Sequence, residues 1–530
     1  MMDIKKKALP GFAALAAYAF ISAALVIEGK LFFAVFAALL PSLFIVTGLR
    51  SRDRRAPAMP MALNGPGPRI WPVAKSPYFL LLGLALTVTA LNIYAPAGPS
   101  ILERAAASFI MAAGFLPAFL YMRNREHGIP FLPLFGIIYS VYYALPLFLL
   151  KGYSVRDGWL PTPQESMDKS LLLSAAGLVM LLLAFYKIPG GSIGKHLPRI
   201  AISWDPQKAK VWGVIFFLVG SAVNFLSNGI IPVRYASTVN FISQLAMLGI
   251  GILYILQLRG HLGLAGKIAL WGFFLPLIFL IRLATGSLAQ ILLIFVFLIL
   301  TSWYFKKKIP WKLMTAGLLL FLFFYNARNE FRYLTWGGEY EHDNPIEKSL
   351  IFTKLAFAGA GSYGKEYEAV SARTSLVLPF AYVVEMTPER IPYWMGSTYL
   401  SLLWMPLPRI LFPWKPEKTL GQQFGHRYGL LDPSDTVTSF NFPQLIEMYA
   451  DFGTTGVIIG MLLMGTIYRA IYEMLCHSDA GEGGFLIGLL IFTGLSNIES
   501  DFSLVFGNII YDIALFAILV RFLKNRHRPQ

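Results

Sequence analysis

The sequence predicts an all-α polytopic membrane protein with 12 to 14 transmembrane helices. The chain has 530 residues, 56% of them apolar, and its mean hydropathy is +0.59. Only 14% of the residues are charged, whereas a soluble chain carries roughly 25%. Apolar runs of about 20 residues recur along the chain, which is the length that a helix needs to cross a bilayer. These observations exclude a soluble enzyme and a disordered protein.

Fourteen apolar runs are flanked by Lys, Arg, Pro or Gly, as membrane-spanning helices are. The first run lacks a small-residue cleavage site and is followed at once by a second run, so it predicts a retained helix rather than a signal peptide. The predicted spans cover residues 8–27, 31–49, 77–95, 105–122, 129–150, 170–187, 211–227, 239–258, 268–283, 287–305, 313–327, 452–473, 484–498 and 502–523.

The cations predict the orientation of these spans. If the N-terminus with Lys5, Lys6 and Lys7 is cytoplasmic, the loops on that side hold 26 Lys and Arg, against seven in the six short loops on the other side. Short cytoplasmic loops are enriched in cations, so both termini are predicted to be cytoplasmic. The net charge of +16 is then a topology signal and not a nucleic-acid surface, which needs clustered cations on a polar fold.

The segment 328–451 is a long exterior loop of 124 residues that contains 14 of the 29 acidic residues. Loops of this length are functional or disordered, and this one is too rich in aromatic and aliphatic residues to be disordered. Its apolar runs 375–384 and 398–412 are too short or too Pro-broken to span, and they predict interfacial or re-entrant helices over a membrane-level cavity. The chain therefore divides into an N-terminal bundle of about eleven helices (1–327), this loop, and C-terminal helices with a cytoplasmic tail (452–530).

Exterior cations are the first functional signal. An arginine fork matches a phosphate with two parallel hydrogen bonds, and a lipid diphosphate lies at this depth. The alternative is that cations at helix ends, such as Arg282 and Arg328, only extend toward the interface. The candidate cations are Arg282, Arg328, Arg332, Arg409, Lys415, Lys418 and Arg427.

Two carboxylates form the second signal, in the stretch FPQLIEMYADFGTTG (442–456). Pro443 can open a helix, and Glu447 and Asp451 then fall on one face because they are four residues apart. Such a pair suits a general base and the group that orients it. The alternative is solvation of a span entrance, with Gly453 and Gly456 allowing close helix packing.

Other patterns predict no further chemistry. The acidic runs 339–343 and 432–435 are contiguous and loop-like, which favours solvated turns over metal sites. A lone exterior histidine such as His426 is more often structural than catalytic. The single cysteine, Cys476, excludes an internal disulfide and a cysteine-based metal site. Neither a phosphate-binding GxxxxGK[ST] loop nor a GxSxG elbow is present, so no cofactor and no metal are predicted.

Three stretches of the sequence share one resemblance. The first is IPFLPLFGIIYSVYYALP (129–146). The second is LPRILFPWKP (407–416), followed by GQQFGHRYG, and the third is TSFNFPQLIEMYADFGTTGVIIGMLLMG (438–465). Together they resemble the Wzy-type oligosaccharide repeat-unit polymerases of bacterial O-antigen and exopolysaccharide assembly. The first stretch is similar to an early family segment, and the other two are similar to the family's late loop and re-entry helix.

The resemblance implies a GT-C-like glycosyltransferase of the bacterial inner membrane, with the loop 328–451 and the active site in the periplasm. Its substrates would be undecaprenyl-diphosphate-linked oligosaccharides within the membrane lipid, and a flippase and a chain-length regulator would be partners. The family needs no cofactor, metal or nucleic acid, since cleavage of the sugar-diphosphate bond drives the reaction.

The resemblance also assigns roles to residues. It gives phosphate handling to Arg282, Arg328, Arg332 and Arg409, and acceptor activation to Glu447. Tyr449 and Asp451 would help in that activation. Some family members have an Arg followed by a Gly eleven positions later, but Arg409 and Gly421 are twelve apart, so no single arginine is selected as essential.

Two other functions stay open. An O-antigen ligase shares the architecture and transfers finished chains to a lipid A core or to protein. A polysaccharide or lipid transporter is less well supported, because many transporters are built from two similar halves with broken helices at matching positions. The sequence contains no such pairing.

Overall fold

A computed structural model describes most of the chain from Tyr78 onward. The predicted spans 8–27 and 31–49 therefore lie outside the described residues. The structure describes residues 78–95, 98–124, 126, 128–149, 162–200, 202–226, 236–306, 310–325, 327–335, 344–359, 375–404, 407, 412, 414, 419–436, 438–477 and 480–523.

Each of the other predicted spans coincides with a helix in the structure. The predicted span 129–150 is divided at Ala144 into two helices, and the described part of the loop 328–451 contributes the short helices α12 to α16. In chain order the helices are α1 (Tyr78–Tyr94), α2 (Ile101–Arg123), α3 (Phe131–Tyr143), α4 (Leu145–Leu149), α5 (Gln164–Tyr186), α6 (Gly190–Gly194), α7 (Pro206–Leu226), α8 (Ala236–Leu258), α9 (Leu264–Leu283), α10 (Leu288–Lys306), α11 (Trp311–Tyr325), α12 (Arg328–Thr335), α13 (Pro345–Ala358), α14 (Val377–Met386), α15 (Ser401–Trp404), α16 (Leu420–Arg427), α17 (Gln444–Ile471), α18 (Gly481–Leu495) and α19 (Phe502–Leu523).

Eight helices in the described part of the chain are long and apolar enough to cross a membrane: α2, α5, α7, α8, α9, α10, α17 and α19. Shorter apolar helices, α1, α3, α11, α14 and α18, accompany them. The protein is therefore an α-helical polytopic membrane protein, as the composition predicts.

Contacts between loops sort the helix ends into two sets. At one end, the Ile129 N–H donates to the Cys476 carbonyl (2.8 Å) and the Ile200 N–H to the Met474 carbonyl (2.9 Å). At the other end, the Gln444 side chain donates to the Asn497 carbonyl (3.3 Å). This is the grouping that an alternating up-and-down path through a bilayer requires, and the charge distribution predicts that the first end is cytoplasmic.

Helix α17 is not straight. Phe452 (φ −139°) and Gly453 (φ +62°, ψ −148°) leave the helical region and divide it into segments 444–451 and 454–471. A β-carbon placed on Gly456 would lie 2.1 Å from the Met448 carbonyl oxygen, although positions eight apart in a straight helix are about 12 Å apart. The two segments therefore pack against each other as a helical hairpin, which we call the α17 hairpin.

A further contact fixes the direction of the α17 hairpin. Gly177 of α5 faces both segments of the hairpin. A β-carbon placed on Gly177 would lie within 3.4 Å of the side chains of Leu445, Val457 and Met461. Leu445, near the start of the first segment, is thus level with Val457 and Met461 of the second. The short segment runs antiparallel to the start of the long one, with both against α5.

The buried apolar side chains form two main clusters. The larger one joins α1 to α5 with α7 to α10, α14 and α16 to α19. The smaller one is built on Leu283, Phe324, Phe331 and Phe352, from α9, α11, α12 and α13. This division decides which predicted site residues meet.

Candidate functional site

Glu447 lies on the short segment of the α17 hairpin and is fully buried. Its Oε2 accepts a hydrogen bond from the Phe502 N–H (2.6 Å), at the start of α19. The N-terminus of a helix offers unpaired N–H groups and a partial positive charge, so it suits a carboxylate. The other oxygen, Oε1, has no hydrogen-bond partner among the described residues, so Glu447 keeps one oxygen for a further contact.

Asp451, one helical turn further on, uses both of its oxygens. Oδ1 accepts from the Gly396 N–H (2.7 Å) and Oδ2 from the Thr398 hydroxyl (2.6 Å). The chain wraps around the carboxylate through left-handed residues, Met395 (φ +54°) and Gly396 (φ +83°). Consecutive N–H groups in such a turn form a cradle for an anion. Asp451 therefore fastens the turn 395–398 to the α17 hairpin through both of its carboxylate oxygens.

Tyr449 and Arg427, both predicted from the sequence, lie close to the acidic pair. The Tyr449 hydroxyl donates to the Thr387 carbonyl (3.4 Å). Arg427, at the end of α16, donates to the Pro392 carbonyl (2.7 Å), and its guanidinium lies 4.2 Å from the centre of the Trp394 ring. The backbone N–H of Trp394 in turn donates to the Ala450 carbonyl (3.0 Å), so the turn 392–394 that Arg427 contacts is tied to the acidic segment.

Tyr399 is a neighbour that the sequence did not single out. Its ring lies parallel to that of Phe452, with the centres 6.5 Å apart, and contacts Phe502 edge to face. Burial, together with the negative charges of Glu447 and Asp451, raises the pKa of the Tyr399 hydroxyl far above its usual value. Tyr399 therefore stays a neutral hydrogen-bond donor beside the acidic pair.

The arginines of the other predicted group pack in the smaller cluster. Arg282 donates to the Gln290 side chain, and the Arg332 Nε donates to the Gly286 carbonyl (3.2 Å). The guanidinium of Arg328 lies 5.8 Å from the centre of the Tyr325 ring. The structure therefore brings Glu447, Tyr449, Asp451 and Arg427 together at the larger cluster. It places Arg282 and Arg332 at the turn 284–287, and Arg328 lies on the same helix as Arg332.

The C-terminal part of the chain, from α7 to α19, matches one family model. The model is described as a domain of unknown function (DUF8712), and the match covers residues 206–528. The chain belongs to the DUF8712 family. No curated protein and no solved structure is significantly similar to the chain. The DUF8712 match contains the α17 hairpin and all the predicted site cations.

Three of the predicted site cations lie outside the described residues: Arg409, Lys415 and Lys418. So does the acidic run 339–343. In the described part of the chain, no group of three His, Cys, Asp or Glu is placed to hold a metal ion. The run 432–435 is a turn: the Asp432 side chain accepts from the Ser434 N–H (2.8 Å), and the Ser434 bonds lower the pKa of Asp432.

The hydrogen-bond donors to Glu447 and Asp451 could hardly be predicted from the sequence. Gly396, Thr398 and Phe502 bind the two carboxylates, but each lies more than 50 positions away in the chain. Thr398 and Phe502 are ordinary side chains in apolar runs. Only the Met395–Gly396 pair, beside a run of aromatic residues, is a recognisable turn signal.

Proposed function

We propose that this DUF8712 protein is a glycan polymerase of the bacterial inner membrane. It would join undecaprenyl-diphosphate-linked repeat units into O-antigen or exopolysaccharide at the periplasmic face. The observation that carries the proposal is the buried Glu447, which has one unpaired oxygen on a half-helix that folds back beside a membrane span. This arrangement suits a base that acts on a substrate held in the lipid.

The depth of Glu447 supports a lipid-linked substrate. In the antiparallel α17 hairpin, Leu445 is level with Val457 and Met461, so Glu447, two residues nearer the break, is level with residues near 457. That is about four residues past the break, or about 6 Å along the span at 1.5 Å per residue. In this proposal the segment 444–451 is a re-entrant element of a GT-C-like fold, in addition to the re-entrant runs predicted at 375–384 and 398–412.

The chemistry assigns Glu447 the role of general base. A hydroxyl of the acceptor sugar attacks the carbon that joins the donor oligosaccharide to its diphosphate, and Glu447 Oε1 takes the hydroxyl proton. The sugar-oxygen bond to the donor diphosphate breaks, and the lipid diphosphate leaves with the bonding electron pair. Positioned cations stabilise the negative charge on that leaving group, and the bond that breaks supplies the energy, so no cofactor or metal takes part.

The two cation groups support a reaction between two lipid-linked substrates. Arg427 lies beside the acidic pair and is suited to the donor diphosphate, which leaves during the reaction. Arg282 and Arg332 lie at the turn 284–287, and together with Arg328 of the same helix as Arg332 they would bind the diphosphate of the other lipid. Arg409, Lys415 and Lys418 are further candidates for these contacts. A flippase that delivers the repeat units and a chain-length regulator are the partners that the proposal requires.

Deletion of the gene tests the proposal against its alternatives. Loss of a polymerase leaves single repeat units on the surface glycan, loss of a ligase leaves finished polymer on the carrier lipid, and loss of a transporter leaves substrate on the cytoplasmic side. A normal ladder of chain lengths after deletion would contradict all three functions.

Complementation with variants tests the role of Glu447. Glu447→Gln, expressed at the wild-type level, should give the same single units as the deletion. Glu389→Gln is the matched control, because Glu389 is an exposed carboxylate of the same loop, and it should restore the full ladder. A full ladder from Glu447→Gln would remove Glu447 as the base.

A further inference from the structure

Lys169 is one of the seven cations in the short exterior loops, where the bias of cations toward the cytoplasmic side does not explain it. It lies near the start of α5 with an exposed side chain. Its ammonium group sits 5.5 Å from the centre of the Tyr449 ring, and that ring is almost fully buried. Among the described residues, Lys169 forms no ion pair and donates no hydrogen bond. Its three N–H groups therefore remain available to bind an anion above the Tyr449 ring.

Arg427 approaches the same place from the other side. Its guanidinium covers the Trp394 ring and bonds to the Pro392 carbonyl. The charge of Lys169 acts on the phenol of Tyr393, the residue between Pro392 and Trp394. The two cations therefore flank the turn 392–394, each supported by an aromatic ring that shields one face from water and strengthens its interaction with an anion.

Lys169 is also held at a defined depth. Ser166, nearly one turn before it, donates to the Glu385 side chain at 2.6 Å, which fastens the start of α5 to α14. The start of a membrane span lies at the interface, where lipid phosphates are found. A cation at this position, beside Tyr449 on the segment that carries Glu447, is suited to a lipid-linked anion.

We propose that Lys169 and Arg427 together bind the diphosphate of a polyprenyl-linked substrate over the turn 392–394. This site rests on the proposed function, and it identifies the cations that hold the reacting lipid beside Glu447. Lys169 acts as a compact point charge and Arg427 as a fork, so they can contact different phosphates of one diphosphate.

Binding to the purified full chain in nanodiscs tests the site. The probes are undecaprenyl diphosphate and undecaprenol, which share the polyprenyl tail but differ in charge. Lys169→Met should weaken binding of the diphosphate lipid about tenfold or more, the usual size of a lost charge-assisted contact, and leave undecaprenol binding unchanged. Lys169→Arg should restore most of the affinity for the diphosphate lipid, which separates lost charge from misfolding.

Lys187→Met is the matched control, since Lys187 ends the same helix at the opposite side of the membrane. It should bind both lipids as the wild type does. Wild-type diphosphate binding by Lys169→Met would overturn the site even if the deletion phenotype supports a polymerase. Conversely, selective loss of diphosphate binding together with a normal ladder in the deletion strain would keep the site and reject the polymerase.

Discussion

The α17 hairpin depends on Gly456, and a single methyl group there should open it. The β-carbon of Gly456→Ala would lie 2.1 Å from the Met448 carbonyl oxygen, whereas carbon and oxygen need about 3.3 Å. The two segments must then separate by about 1 Å. The obstacle is backbone, which cannot rotate away as a side chain can, so we expect unfolding to become easier by about 1 to 3 kcal/mol.

The same displacement should reduce the proposed polymerase activity. Glu447, the proposed base, and Asp451 lie on the segment that moves, and a shift of about 1 Å in a catalytic group lowers a rate about 100-fold. The assays are unfolding in detergent with increasing SDS, followed by tryptophan fluorescence, and the chain-length ladder in cells.

Gly494→Ala is the control for this substitution. A β-carbon on Gly494, near the end of α18, meets nothing within 4 Å, and alanine favours the helix over glycine by up to about 1 kcal/mol. Gly494→Ala should therefore leave stability equal or higher and the ladder intact. If Gly456→Ala behaves like Gly494→Ala in both assays, the two segments are not packed as a hairpin.

Two further predictions concern buried hydrogen bonds. Thr398→Val removes the hydroxyl that binds Asp451 and should lower the unfolding free energy by about 1.5 to 3 kcal/mol, as expected for a bond to a charged group. Thr398→Ser keeps the hydroxyl and should lose less, and equal losses in the same SDS titration would argue against the bond. Tyr472→Phe removes the 2.8 Å bond from the Tyr472 hydroxyl to Glu126 and should cost a similar amount in thermal melting. Tyr186→Phe, at a neighbouring partly buried tyrosine, should melt near the wild type, and a Tyr472→Phe curve that matches it would refute the contact.

The spans were predictable because bilayer thickness fixes helix length, and an apolar run of that length has few other fates. The predicted helix that carries Glu447 and Asp451 is present for a similarly local reason, since Pro443 precedes it and the pair keeps a helical spacing. The sequence pattern does not predict the direction that the chain takes after a break in a helix. Gly453 and Gly456 were interpreted as packing glycines of a span entrance, whereas Gly453 breaks the helix and Gly456 lets it fold back.

Which of the exterior cations lie near one another could not be predicted from the sequence, for a different reason. Charge counting assigns a residue to a side of the membrane, but it does not give a position within the membrane plane. Arg282 and Arg427 were both predicted to be exterior, yet they lie with different packing clusters. Lys169 was counted with the same exterior set, and its place above the Tyr449 ring is a contact that counting charges does not reveal.

The bond between Glu447 and the Phe502 N–H sets an order for biosynthesis. Phe502 opens α19, which is synthesised after the α17 hairpin. Until α19 is in place, Glu447 lacks the N–H donor of Phe502, and a buried polar group without its partner is destabilising. A chain that stops before residue 502 should therefore expose this acid to the cell's quality-control proteases, and only a chain that carries α19 can complete the site.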